Sequence, residues 1–115
     1  MERNVKISIL CDMYGKLLTD KQYIFLCDYY NNDLSLSEIA ENNNITRQAV
    51  RDIIKKGENK LFEIEEKLGF MKKALREKQQ INIILSELLK IKDSSSEKEV
   101  NRILEDVKRK LNNLI

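Results

Sequence analysis

"DLSLSEIAENNNITRQAVRDIIKKGENKL", Asp33–Leu61, begins as a surface helix, stalls on Asn42, Asn43 and Asn44, and restarts with Arg47, Arg51 and Lys55 spaced four residues apart. Ser35-Leu36-Ser37-Glu38 has the form of a capping box, in which the serine hydroxyl and the glutamate carboxylate each satisfy a backbone N–H left open at a helix start. It predicts a short helix from about Leu36 to Asn43 with Ile39 and Ala40 inward. Asparagine enters the left-handed backbone region more readily than other non-glycine residues. One of Asn42 to Asn44, with Asn44 fitting best, therefore ends that helix within a few positions. Ile45 then drops into the core, and Thr46 caps a second helix from about Arg47 to Lys56 with Val50 and Ile53 inward. A small residue at the crossing (Ala40), a left-handed turn, an apolar plug and a one-sided second helix are what a helix-turn-helix requires.

That geometry turns Arg47, Arg51 and Lys55 outward on one stripe, with Gln48 beside it. Between Asn44 and Lys60, Arg47, Arg51, Lys55, Lys56 and Lys60 stand against only Asp52 and Glu58. The basic excess of this stretch is larger than the net charge of +2 on the whole chain. Arginine binds guanine bidentately and glutamine binds adenine in the major groove, which suits Arg47, Arg51 and Gln48. Thr46, Lys55, Lys56 and Lys60 are better placed for phosphates. The expected partner of these seven residues is double-stranded DNA. Basic residues at this spacing also occur on ordinary solvated faces, and helix-turn-helix units also dock proteins.

The rest of the chain is read as helical too. It has 115 residues, 42% apolar and 35% charged, with no proline and only three glycines, whereas strands need turns that draw on both. Val5, Ile9, Leu10, Met13, Tyr14 and Leu17 form a first stripe, ending near Gly15. Thr19-Asp20-Lys21-Gln22 is another capping box, opening a helix with Tyr23, Leu26, Cys27 and Tyr30 on its buried face and Asn31-Asn32-Asp33 as its stop. At least Tyr30 is read as core rather than as part of a stacking platform. Helix resumes from Glu58 to about Lys90, with Leu61, Ile64, Leu68, Met71 and Leu75 on one stripe and Ile81, Ile84, Leu85, Leu88 and Leu89 on another. Gly69 marks a bend or an interruption. Asp93-Ser94-Ser95-Ser96 is the clearest linker, and Ser96–Glu99 is a third capping box, opening a last helix carrying Val100, Ile103, Leu104, Val107, Leu111 and Leu114. The expected fold is all-α: a helix-turn-helix bundle over residues 1–70, then C-terminal helices over 71–115 that either pack on the domain or pair two copies.

Cys11 and Cys27 lie among apolar residues and there is no histidine, so buried free thiols are expected rather than a metal site. No cofactor is implied. The longest apolar run, Tyr23–Cys27, is far short of the ~20 residues of a membrane span, so a cytoplasmic protein without membrane insertion is expected. With no histidine and no glycine-rich phosphate loop, an enzyme is not expected.

"YGKLLTDKQ" (14–22), "YYNNDLSLSEIAE" (29–41), "ITRQAVRDIIKK" (45–56) and "EIEEKLGF" (63–70) resemble the YlxM family, small proteins of Gram-positive bacteria read as DNA-binding. The same stretch resembles, more distantly, the fourth conserved region of sigma factors, where a helix-turn-helix reads the promoter −35 element. By that resemblance Arg47, Gln48, Arg51 and Lys55 sit at base- and phosphate-contacting positions. Arg51 stands where the family pattern has tyrosine, so the resemblance does not carry over a shared target sequence. The family's genes neighbour those of the signal recognition particle and its receptor. The resemblance therefore implies a part in that targeting pathway, as a regulator or as an accessory protein on the particle's RNA or protein.

Overall fold

The computed structural model describes residues 1–91 and 96–114, so Asp93, Ser94 and Ser95 of the expected linker lie outside the described residues. Six α-helices account for the described chain: α1 (Arg3–Tyr14), α2 (Asp20–Tyr30), α3 (Leu36–Asn42), α4 (Arg47–Leu68), α5 (Phe70–Lys90) and α6 (Glu97–Asn113). A 3-10 turn over Gly15–Leu17 links the first two. Among the described residues there is no strand, and the fold is all-α as expected. The chain forms two compact units, Met1–Met71 and Lys72–Ile115.

In the first unit α1, α2 and α3 all pack on α4. Phe25, Ile7, Leu10, Leu26, Ile39, Leu61 and Val50 are its fully buried side chains. Both capping boxes predicted in this unit form. Thr19 Oγ1 accepts from the Gln22 N–H at 3.2 Å while Gln22 Oε1 accepts from the Thr19 N–H at 3.1 Å. Ser35 and Glu38 make the same exchange, with both bonds at 3.1 Å.

The asparagine turn closes as a Schellman motif. Asn44 is left-handed (φ 54°), the Ile45 N–H returns to the Ala40 carbonyl at 3.1 Å, and the Asn44 N–H returns to Glu41 at 3.4 Å. Asn43 adds a side-chain bond to the Ile39 carbonyl at 2.7 Å. Asp33, also left-handed (φ 55°), turns the chain after α2.

Four expectations need correction. First, α1 buries Ile7, Leu10, Cys11 and Tyr14, whereas Val5, Met13 and Leu17 are exposed. Its apolar residues run around most of the helix, so two stripes share the helical period and only packing on α2 and α4 selects one. Second, α2 buries Phe25 and Leu26 and leaves Tyr23 exposed, its ring lying where a Cβ on Gly15 would meet Cε1 at 2.7 Å. Third, α4 buries Val50 and Ile54 rather than Val50 and Ile53, and Ile45 and Ile53 are half-buried. Fourth, α4 does not stop at Lys56 but runs through Gly57 to Leu68, and Leu68, expected on the buried stripe with Leu61 and Ile64, is exposed.

Gly57 is retained in mid-helix because α2 passes so close that a Cβ would meet Leu26 Cδ1 at 2.9 Å and Gln22 Cβ at 3.3 Å. The interruption comes at Gly69, left-handed at φ 67°. Glu65 fastens this corner, its Oε1 accepting from the Tyr14 hydroxyl at 2.7 Å and from the Met71 N–H at 2.9 Å. Burial, then the bond to Glu65, pushes the Tyr14 phenol up from its ordinary value.

In the second unit, Ile84 of α5 packs with Ile103 and Val107 of α6, flanked by Ile91 and Leu114. Most of the other expected stripe residues here, including Ile81, Leu85, Leu88, Leu89, Leu104 and Leu111, are exposed. Lys110 bridges Glu87 across the two helices and Asp106 at 3.2 Å. Ser96 Oγ accepts from the Glu99 N–H at 3.3 Å, which is the serine half of the capping box predicted there. Among the described residues no helix is long and apolar enough to cross a membrane.

Candidate nucleic-acid interface

Thr46, Arg47, Gln48, Arg51, Lys55, Lys56 and Lys60 are all exposed. They do not make one patch. A helix turns about 100° per residue, so Arg47, Arg51 and Lys55 span an arc of about 80° along one edge of α4. By the same geometry Lys60 lies about 140° from Lys55, with Lys56 between them. Lys56 and Lys60 therefore face away from the arginine edge.

Thr46 spends its oxygen on the cap, accepting from the Ala49 N–H at 3.0 Å, and keeps its O–H as a donor. Gln48 Nε2 donates to Asp52 Oδ1 at 2.9 Å, so the amide that would read adenine is held by a carboxylate on the same face. Among the described residues Arg47, Arg51 and Lys55 make no ion pair.

Behind the arginine edge lies a group that the sequence reading counted only as charge. Glu58 is 8% exposed, on the buried side of α4. Its Oε2 takes Arg3 Nη2 at 3.0 Å and its Oε1 takes the Tyr30 hydroxyl. Arg3 also lies over the Phe62 ring, 5.7 Å from its centroid. Burial, then the bond to Glu58, pushes the Tyr30 phenol up to about 12. The signal was present in the sequence, because Glu58 follows Ile54 by four residues and precedes Leu61 by three, on the buried stripe. Tyr30 is half-buried, in keeping with its core reading, but Tyr29 remains exposed and meets Tyr30 edge-on at 5.0 Å. Cys11 is a buried free thiol pushed up to about 12 by burial, then by its neighbour Cys27, which is half-buried and also free.

The family model described as "Putative helix-turn-helix protein, YlxM / p13 like" (UPF0122) matches residues 1–107. The chain belongs to this family. It is 51% identical over 89 residues to the UPF0122 protein MYPE4850 of Malacoplasma penetrans, covering 73% of this chain and 83% of that one. A UPF0122 protein of Clostridium botulinum is 46% identical over 99 residues, covering 86% and 90%. One from Acetivibrio thermocellus is 41% identical over 115 residues, covering 100% and 98%. The match extends well past Gly69, so the α5–α6 segment belongs to the family pattern together with the helix-turn-helix of this UPF0122 chain.

Proposed function

We propose that this protein is a DNA-binding regulator. Its α4 enters the major groove, and α5–α6 pair two copies on adjacent half-sites about 34 Å apart. The observation that carries the reading is the edge of α4 where Arg47, Arg51 and Lys55 stand exposed and, among the described residues, free of ion pairs, behind a closed helix-turn-helix turn. Arg47 and Arg51 read base edges and Lys55 and Thr46 meet the phosphates beside them, while Lys56 and Lys60, on the far side of α4, add to the positive field that draws DNA in. The exposed leucines of α5 and α6 support the pairing. The setting, the signal recognition particle pathway, follows from the YlxM resemblance.

A second reading makes the chain an accessory protein on the particle's RNA or protein, without sequence-specific DNA binding. The Gln48–Asp52 bond favours it, since a tethered amide beside a carboxylate is a poor base reader.

Fluorescence anisotropy on duplex DNA at two salt concentrations tests the first reading. The Lys55–phosphate contact alone predicts about 3.5-fold weaker binding at ~200 mM than at ~50 mM salt, and each further phosphate contact multiplies that factor by about the same amount. Gln48→Ala and Arg47→Ala should alter sequence preference, not only affinity. Equal binding to all duplexes by the parent protein, or none with particle RNA bound instead, would sink the regulator and favour the accessory role.

A further inference from the structure

Two open clefts meet at the C-terminal end of α2. One, of about 660 Å³, has Arg3, Tyr29, Tyr30, Leu36 and Arg47 in its wall. The other, of about 350 Å³, has Tyr29, Tyr30, Leu36, Arg51, Lys55 and Glu58. Tyr29, Tyr30 and Leu36 form the divide between them. Both volumes fall in the range of small-ligand sites, about 300–1,000 Å³.

We infer that this double cleft binds a nucleotide held outside a duplex, with its base on the Tyr29 ring and its phosphate on Arg47 and Arg51. The inference goes beyond duplex reading, although it shares the arginine edge with it. Three features carry it. The first is an aromatic surface in place. Tyr29 is 37% exposed, and its ring plane is set by the edge contact with Tyr30. Tyr30 is in turn anchored through its hydroxyl to Glu58. A base stacks on such a ring whatever its identity.

The second feature is charge. Arg3, Arg47, Arg51 and Lys55 border the clefts against only Asp33 and Glu58. Glu58 is already compensated by Arg3 and Tyr30, so its charge does not oppose a phosphate at full strength. Arg47, Arg51 and Lys55 make no ion pair among the described residues and are available to an anion, whereas Arg3 is held by Glu58.

The third feature is shape. The tyrosine stands at the junction of two concave surfaces. A base inside a duplex has both faces covered by its neighbours and cannot stack there. An unpaired base can, which is how single strands are held. The chemistry recognised is a nucleobase joined to a phosphate, supplied either by a single strand or by a free nucleotide.

2-Aminopurine, whose emission falls on stacking, is the probe. It is offered in a short single strand, in a hairpin duplex and as the free nucleoside monophosphate. The full-length protein is compared with Tyr29→Phe, Tyr29→Leu and Tyr29→Ala, each checked for folding by circular dichroism. The expected result is quenching by the parent protein and by Tyr29→Phe. Tyr29→Leu and Tyr29→Ala should bind at least about fivefold more weakly, the lower end of one base–aromatic stack, and should not quench. Quenching of the strand alone identifies the ligand as a strand, and equal response of the monophosphate identifies a free nucleotide. Either result supports the site. Binding of Tyr29→Leu or Tyr29→Ala within twofold of the parent, or no quenching of strand or monophosphate by the parent, overturns it. The duplex arm stands apart: duplex binding that Arg47→Ala/Arg51→Ala abolishes and Tyr29→Leu leaves intact upholds the regulator reading whatever the strand does.

Discussion

Two carboxylates, one in each unit, are withdrawn from solvent, and they are treated differently. Glu58 in the first unit has both oxygens bonded, one to Arg3 and one to Tyr30. Glu87 in the second has Lys110 on one oxygen, while the other is buried without a hydrogen-bond partner among the described residues. The apolar side chains follow the same division. Around α4 three helices close over seven fully buried residues. Among the described residues of the α5–α6 unit only Ile84, Ile103 and Val107 are buried, and Leu85 is 51% exposed. The stripes in the two regions look alike in the sequence. A stripe becomes core only where enough neighbouring surface exists to cover it, and two helices offer each other one face apiece.

The sharpest way to break this contrast is to truncate one apolar residue in each unit. Phe25→Ala removes a fully buried ring and should cost about 3–5 kcal/mol in denaturant unfolding. Leu85→Ala should stay within about 0.5 kcal/mol at protein concentrations too low for pairing, as surface changes do. At high concentration it should cost more if α5–α6 pair two copies, and sedimentation should show weaker association. Equal costs for Phe25→Ala and Leu85→Ala in dilute solution would mean that the two units are packed alike.

The carboxylates give the next test. Glu58→Ala strands the Tyr30 hydroxyl and frees Arg3, and should cost about 2 kcal/mol. Glu87→Met should be close to neutral or slightly stabilising, because it removes an unpaired buried oxygen while Lys110 keeps Asp106 at 3.2 Å. A loss of about 2 kcal/mol in both variants would show that the second unit depends on its ion cluster as much as the first depends on Glu58.

How much of this was legible in the sequence follows from range. Thr19, Ser35 and Thr46 each cap through atoms within three residues, and those bonds form as read. The left-handed Asn44 was equally readable, because its turn is closed by bonds to Ala40 and Glu41. Choosing Ile7 over Val5, or Ile54 over Ile53, depends on which neighbour arrives, and periodicity within one helix does not hold that information. Glu58 and Arg3 are 55 residues apart, so their pairing left no local trace. For the candidate site, the exposure of Arg47, Arg51 and Lys55 was legible. The separation of Lys56 and Lys60 from that edge was implicit in the helical angle. The clefts beside Tyr29 were not legible, because they arise where α2, α3 and α4 meet.

The turn itself offers a smaller test. Asn44 sits at φ 54°, where a side chain without a local polar partner is disfavoured. Asn44→Ala should cost about 1 kcal/mol and Asn44→Gly close to nothing, by thermal unfolding. If Ala and Gly behave alike, the left-handed residue is not what ends α3 in solution.

The smallest effect separates the units by pH. In the first unit Tyr30 is pushed up to about 12 from 10.0, by burial and then by the bond it donates to Glu58. The folded state therefore holds the phenolic proton more tightly than the unfolded chain does. Its contribution is complete below pH ~10 and is lost as pH rises toward ~12. In the second unit Asp106 is held below its ordinary 3.8, chiefly by Lys110. That contribution is present above pH ~4 and is lost as pH falls through the lowered value. All four tyrosines lie in the first unit, and the chain has no tryptophan. Near-ultraviolet tyrosine signals thus report Met1–Met71 alone, while far-ultraviolet dichroism reports helix in both units. Alkali should shift the tyrosine-detected melt downward first, and acid should lower the helix signal before the tyrosine signal changes. Coincident transitions at both extremes would show that the two units unfold as one cooperative body despite their different cores.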